Sequence, residues 1–231
     1  MNRISIVCPS RGRPLRFRAM AKSAITNAAA PARVVVHLVV DRDDPELARY
    51  AEPLPRQVVL TVNEHPGKSA PALTNELAME SRGDIVFAGS DDILFRTPGW
   101  DELLDGAFDQ HPDGMLVAYT NDGRDRGKCE HFAVSRRWIQ AVGCFMFPGF
   151  EHFCGDELVE RIGREVDRAL YLRELVTEHL HFKYGKAPKD ETYAMKRRED
   201  VSQRDQARLA AMGEFILAAA RRVRLGMGVP A

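Results

Sequence analysis

The sequence predicts an α/β protein: a mostly parallel sheet flanked by helices. Three observations carry that expectation. Short β-branched runs alternate with helix-period segments from residue 4 to residue 119. The run 34–40 is apolar almost throughout, as a strand covered on both faces should be. Three predicted strands stop at polar residues, namely Pro9 to Arg13, Asp41 to Asp44 and Ser90 to Asp92. In a doubly wound sheet such ends face one edge, where open α/β folds bind their ligands.

Residues 3–8 read as a buried strand, short and bounded by Pro9. Pro9-Ser10-Arg11-Gly12-Arg13-Pro14 is a turn. Phe17, Met20, Ala21, Ala24 and Ala28 then recur at helical spacing, and Pro31 ends that helix. A third strand is expected at 58–62, a loop with His65, Gly67 and Lys68 at 63–69, and a short helix at 71–80. The stretch 83–93 supplies a fourth strand that ends abruptly in Ser90-Asp91-Asp92. Trp100, Leu103, Leu104, Ala107 and Phe108 mark an amphipathic helix, and 115–119 a fifth strand of the parallel sheet.

The rhythm then changes. A polar, Gly-rich loop (121–128) leads to a short strand (131–134) and a short helix (136–142). Residues 144–155 are aromatic and irregular. Asp156 opens a helix, 169–172 and 175–182 are strand-like, and one last helix is expected over about 202–224. Nothing repeats, and no linker is long enough to divide residues 1–231 into two domains.

Composition bounds the function. Apolar content of 45% and charged content of 29% are ordinary for a globular chain of 231 residues. Zero formal net charge gives no global case for nucleic acid or anionic membranes. No apolar run approaches the ~20 residues of a membrane span. The chain enters a strand at once, without a signal-peptide pattern. Cys8, Cys129, Cys144 and Cys154 are few and widely spaced, which suits reduced thiols in a cytoplasmic protein.

The strand ends carry the chemistry. Asp91 and Asp92 offer hard oxygens to Mg²⁺ or Mn²⁺, ions that take one or two carboxylates plus substrate phosphates. The first-turn arginines suit phosphates, and Asp41 to Asp44 offers acceptors to a ribose hydroxyl or a base N–H. Each group also has a plain structural use, as a solvated turn or a helix start. If 175–182 is a strand, His179 and His181 share a face, and imidazole suits Mn²⁺ better than Mg²⁺. Asp156 is either a helix N-cap or a general base beside an acceptor. Cys129, His131, Cys144, His152 and Cys154 include no Cys-x2-Cys pair, so a structural zinc is the poorer reading.

In order, Ile4-Ser5-Ile6-Val7-Cys8-Pro9-Ser10-Arg11, Val39-Val40-Asp41, Asn75, and Gly83-Asp84-Ile85-Val86-Phe87 with Ser90-Asp91-Asp92 resemble glycosyltransferase family 2. The likeness is good over residues 4–100. It is thinner over 131–193, where Arg137-Trp138 with Gly143, Gly155-Asp156-Glu157-Leu158, His179-Leu180-His181 and Asp190-Glu191-Thr192-Tyr193 look like the family's acceptor-side and closing segments. It is nearest to small, single-domain bacterial and phage-type members.

The resemblance implies a GT-A, Rossmann-like fold and a metal-dependent, inverting glycosyltransferase of the hexosyltransferase type. It implies a nucleotide-sugar-binding half (1–120), an acceptor-side, metal-completing half (121–195) and a C-terminal helix (200–226). By position, Pro9, Arg11, Asp41, Lys68, Asn75 and Asp91 would bind the nucleotide. Asp92 matches the last acid of the family's Asp-x-Asp motif, with Ser90 in place of the first acid. His179 or His181 would complete the metal shell, His181 being preferred, and Asp156 would be the base. The implied cofactor is Mn²⁺ or Mg²⁺, and the donor a nucleotide-diphospho-sugar, first of all a UDP-sugar. The acceptor is not specified; a nucleic acid is possible but nothing in the composition favours it. Two other readings share this sheet: a nucleotidyltransferase acting on a nucleoside triphosphate, and a non-catalytic nucleotide-binding module.

Overall fold

Strand β1 (Ile4–Pro9) is central to the sheet, and its alternation shows how the sheet is packed. Ile4, Ile6 and Cys8 enter one apolar core, and Val7 enters another on the opposite face. The computed structural model describes residues 1–196 and 199–229. Helix α1 (Pro14–Thr26) covers the Ile4 face with Phe17, Met20, Ala21 and Ala24. β2 (Val34–Asp41) repeats the division, sending Val34, Val36, Leu38 and Val40 to the same core and Val39 to the other. After α2 (Leu47–Tyr50) comes β3 (Val58–Asn63), the half-exposed edge strand. Helix α3 (Ala70–Glu80) covers the second face with Leu73, Leu77 and Ala78. Its N-cap is Ser69, whose hydroxyl accepts from the Ala72 N–H at 3.2 Å.

The four residues of β4 (Ile85–Ala88) are all buried and pair in parallel with β1. Where the chain leaves β4, Gly89 lies so close to β1 that a Cβ would meet the Ile6 Cγ2 at 2.7 Å. The acids beyond it therefore stand directly over the sheet edge. A short strand, β5 (Ile93–Phe95), follows them, then α4 (Trp100–Asp109). Trp100 is fully buried against Phe95, 4.5 Å between ring centroids, and its indole N–H donates to the Ala24 carbonyl at 2.8 Å. Below it, Arg33 bridges the buried Asp101 (3.0 Å) and Asp105 (2.7 Å), and the Ala29 and Ala30 N–H groups also bond to Asp101.

The remaining elements are β6 (Val117–Asn121), β7 (Phe132–Ser135), α5 (Arg136–Val142), α6 (Gly155–Glu165), β8 (Ala169–His179), α7 (Glu191–Lys196), α8 (Glu199–Ala210) and α9 (Gly213–Gly226). The sheet order is β3-β2-β1-β4-β7-β6-β8-β5. Most of it is parallel; β7 and β5 run against the other strands.

The structure adds to the sequence reading at one place and corrects it at three. The fifth strand, β6, runs with the parallel strands, and β7 inserts antiparallel between it and β4. A short loop suffices to join antiparallel neighbours, whereas a parallel neighbour needs a crossover. The two stretches at 169–172 and 175–182 are one strand, β8, irregular opposite Thr120 and Asn121 and ending at His179. His181 lies beyond it, so strand alternation does not place the two histidines on one face. The expected C-terminal helix (200–226) is two helices, broken at Ala211 and Met212 before Gly213, a poor helix-interior residue. Both bury apolar side chains in one core, α8 through Leu209 and α9 through Ala219, Ala220 and Val223. Asp156 is not the N-cap of α6: Cys154 holds that position with φ 67°, and Asp156 lies in the first turn. The four cysteines form no disulfide. Among the described residues no helix is long and apolar enough to cross a membrane.

Candidate functional site

The turn after β4 brings two carboxylates to the sheet edge and gives them different partners. Asp91 accepts from the Ser10 hydroxyl at 2.7 Å and from the Arg13 guanidinium at 3.0 Å. Ser10 also bonds to the Tyr50 hydroxyl at 2.6 Å, and that hydroxyl accepts from the Arg13 N–H at 2.7 Å. Asp91 is thus built into the support of the first turn. Asp92, also buried, accepts from the hydroxyls of Ser90 and Tyr193, the latter at 2.6 Å, and has His179 Nε2 at 3.5 Å and the Arg13 guanidinium at 3.9 Å. Burial alone would raise the Asp92 carboxyl. His179, Ser90 and Tyr193 outweigh that and hold it well below the usual carboxylate range.

The His179 ring lies between two carboxylates, with Nδ1 at 3.2 Å from Glu130. Burial would lower its pKa, but Asp92 and Glu130 raise it to about 9. Burial would raise Glu130, yet His179 and Arg124 bring it down to about 2. His131 is lowered to about 4, by burial first and then by the neighbouring His179, whose ring centroid is 5.0 Å away. Its Nε2 is buried with no hydrogen-bond partner.

Cover for these groups comes from the far end of the chain. Arg13 bonds to Asp190 at 2.7 Å and lies 3.9 Å over the Tyr193 ring. Desolvation would lower the Arg13 pKa, but Asp190, Asp91 and Asp92 raise it above its ordinary value.

A cavity of about 240 Å³ is lined by Pro9, Arg13, Asp91, Asp92, Glu130, His131, His152, His179, His181 and Tyr193, among others. A second cavity, about 480 Å³, shares Pro9 and Ala70 with it and is lined by Arg11, Asp41, Asp43 and Lys68. In this second cavity Arg11 pairs with Asp43 at 2.6 Å and Asp41 at 3.2 Å, and Lys68 pairs with Glu76 at 2.8 Å.

The structure thus gathers Pro9, Asp91, Asp92, His179 and His181 at one cavity, and Pro9, Arg11, Asp41 and Lys68 at its neighbour. Asn75 lines neither: its carboxamide oxygen accepts from the Phe145 N–H at 2.9 Å. Asp156 is half-buried and does not line the first cavity; burial and nearby Glu130 raise its pKa to about 6. His179 and His181 both line the first cavity, with ring centroids 5.2 Å apart. His179 is the one between Asp92 and Glu130, while His181 Nδ1 accepts from the Lys183 N–H at 3.2 Å. Sequence reasoning missed Glu130 and the place of His131 beside His179. The adjacent Glu-His pair at a strand start was the available signal. The contacts of Arg13 with Asp190 and Tyr193 span about 180 residues of chain and left no local signal.

No protein-family model matches the sequence, and a search of curated proteins finds no relative. Solved structures do resemble it. One is the mannosyltransferase PcManGT from Pyrobaculum calidifontis in complex with GDP-Man and Mn²⁺: TM-score 0.64, 14% identity, 98% of this chain and 72% of that one. Another is S. aureus TarS 1-349 in complex with UDP-GlcNAc: TM-score 0.66, 10% identity, 96% of this chain and 72% of that one. The fold is the GT-A, Rossmann-like fold that these structures share. A longer TarS chain matches with TM-score 0.63 and 11% identity over 96% of this chain, which spans 50% of its length. In this GT-A fold the acids after β4 stand at the carboxyl edge of the parallel strands, the ligand edge of open α/β sheets.

A donor set next to Asp92, which is not itself part of it, fits a divalent ion. Glu130, His131 and His179 offer ligand atoms that all lie within 4.8 Å of one another, and Asp92 approaches His179 from its other nitrogen. Carboxylate oxygens with imidazole nitrogens suit Mn²⁺, and an ion on His179 would take the place of the proton that its two carboxylates otherwise favour.

Proposed function

We propose that this chain is a metal-dependent, inverting glycosyltransferase that moves a sugar from a nucleotide-diphospho-sugar to an acceptor hydroxyl. The observation that carries the reading is the pairing of Asp92 with His179, beside Arg13, at the ligand edge of a GT-A fold. Asp92 and His179 would hold the ion together, His179 as a ligand and Asp92 by orienting its ring, with Mn²⁺ before Mg²⁺ because of the imidazole. When bound, such an ion supplies positive charge to the leaving diphosphate. Arg13 adds a fixed cation next to it, and fixed charge in a dry site stabilises developing negative charge strongly. Pro9, Arg11, Asp41 and Lys68 would receive the nucleoside end in the adjoining cavity, a UDP-sugar being the first donor to test. Asp91 would act indirectly, by holding Ser10 and Arg13 in place.

Asp156 would deprotonate the acceptor hydroxyl. Its raised pKa of about 6 leaves it ionised at neutral pH yet basic enough to take a proton. Attack from the side opposite the diphosphate inverts the anomeric centre.

The test incubates the chain and Asp92→Asn with a nucleotide-sugar panel and Mn²⁺ and measures nucleoside diphosphate released. Release by wild type and its loss in the variant are expected. Pyrophosphate release from a nucleoside triphosphate would instead favour a nucleotidyltransferase.

A further inference from the structure

We propose that Glu130 and His131 join His179 as protein ligands of a transition-metal ion, and that the chain binds this ion before any nucleotide arrives. The inference deepens the metal half of the preceding reading and does not depend on sugar transfer.

Three features of the cluster carry it. First, two distant parts of the chain deliver the donors to one point. Glu130 and His131 come from the segment entering β7 and His179 from the end of β8, yet their ligand atoms lie within 4.8 Å of one another. The backbone fixes both ends: the Thr120 N–H donates to the His131 carbonyl at 3.0 Å, and the His179 N–H to the Asp122 carbonyl at 3.0 Å.

Second, His131 is 5% exposed, faces the cavity and leaves Nε2 without a hydrogen-bond partner. A buried polar atom left unsatisfied costs about 1–3 kcal/mol, and native structures rarely keep one without a use. A metal ion uses that lone pair.

Third, His179 has a carboxylate at each ring nitrogen, Glu130 at 3.2 Å and Asp92 at 3.5 Å. With Glu130 and Nδ1 both on the ion, Nε2 keeps Asp92, the kind of carboxylate partner that orients a metal-bound imidazole.

Arg124 and Arg126 also bind Glu130, at 2.8 and 2.6 Å. They fix its position without exhausting it, since each carboxylate oxygen has two lone pairs.

The donor set defines the class of ion. Two imidazoles with a carboxylate favour Mn²⁺, Co²⁺ or Zn²⁺ and disfavour Mg²⁺, which prefers oxygen ligands and retained waters. A site with one or two carboxylates depends on substrate phosphates to complete its shell. Three side chains, with Asp92 adjacent, do not.

The experiment titrates Mn²⁺ and Co²⁺ into the metal-stripped full chain without nucleotide or sugar, by calorimetry. Electron spin-echo spectra of the Mn²⁺ form report nitrogen ligands. Expected are one ion per chain, imidazole nitrogen couplings, and no displacement by excess Mg²⁺. Glu130→Gln and His131→Gln should each weaken binding at least about tenfold, with circular dichroism confirming that they fold. If a variant does not fold, the wild-type spectra decide. Mn²⁺ binding that requires a nucleoside diphosphate, spectra without nitrogen coupling, or folded variants with wild-type affinity would overturn the proposal. Metal binding in a chain that transfers no sugar would uphold it and overturn only the transferase reading.

Discussion

Asp205 offers a test of how the acceptor side is held together. It is fully buried on α8, and its carboxylate accepts from three successive N–H groups: Glu151 at 2.9 Å, His152 at 2.8 Å and Phe153 at 2.8 Å. Those residues lead directly into the left-handed Cys154 and the first turn of α6, which carries Asp156. His152 lines the Asp92 cavity. Asp205→Ala removes all three bonds; Asp205→Asn keeps one oxygen and turns an NH₂ group toward the same donors. A hydrogen bond to a charged group contributes about 1.5–3 kcal/mol. Glu151 is exposed, so its N–H can turn to water; the half-buried His152 and Phe153 N–H groups set the loss, roughly 3–6 kcal/mol for the alanine variant. In a chain of this length that lowers the melting temperature by roughly 6–24 °C. Thermal melting gives the magnitude, and hydrogen exchange over residues 149–156 gives the place. An alanine variant that melts within about 2 °C of wild type, with unchanged exchange in that segment, would refute the reasoning.

Other expectations follow from the same geometry. Asp156→Asn should lower kcat by about 10²–10⁴ with little change in donor affinity; in the wild type the rate should fall as pH drops through about 6, because that protonates the raised carboxyl. Arg13→Met strips the buried Asp91 of its cation and should cost about 3–5 kcal/mol in a denaturant titration, whereas Asp190→Asn, at a more exposed carboxyl, should cost clearly less. Asp101 and Asp105 are both held below the usual carboxylate range. Burial opposes this, and backbone N–H groups, Asn2 and Arg33 outweigh it. Their contribution is present above the unfolded pKa near ~4 and is lost as pH falls through the depressed folded values. The acid limb of the stability curve should therefore flatten in Asp101→Asn. Trp100→Ala should cost about 3–5 kcal/mol, read by chemical denaturation, because it empties the contact with Phe95 and Phe87.

What the sequence determined by itself was local. Period-two and period-3.6 patterns are set by backbone geometry, so β1 to β4, α1, α4 and the acids at the strand ends could be read directly. The shared edge of Pro9, Arg11, Asp41, Asp91 and Asp92 followed from strand direction alone. Tertiary structure decided what depends on distant contacts. It inserted β7 beside β4, divided the C-terminal helix at Met212, and ended β8 at His179, so that His181 reaches the same cavity from beyond the strand. It also gave the two acids different work, Asp91 to Ser10 and Arg13, Asp92 to His179 and Tyr193. Adjacent in sequence and alike in chemistry, they can be told apart only by the partners that packing delivers from elsewhere in the chain.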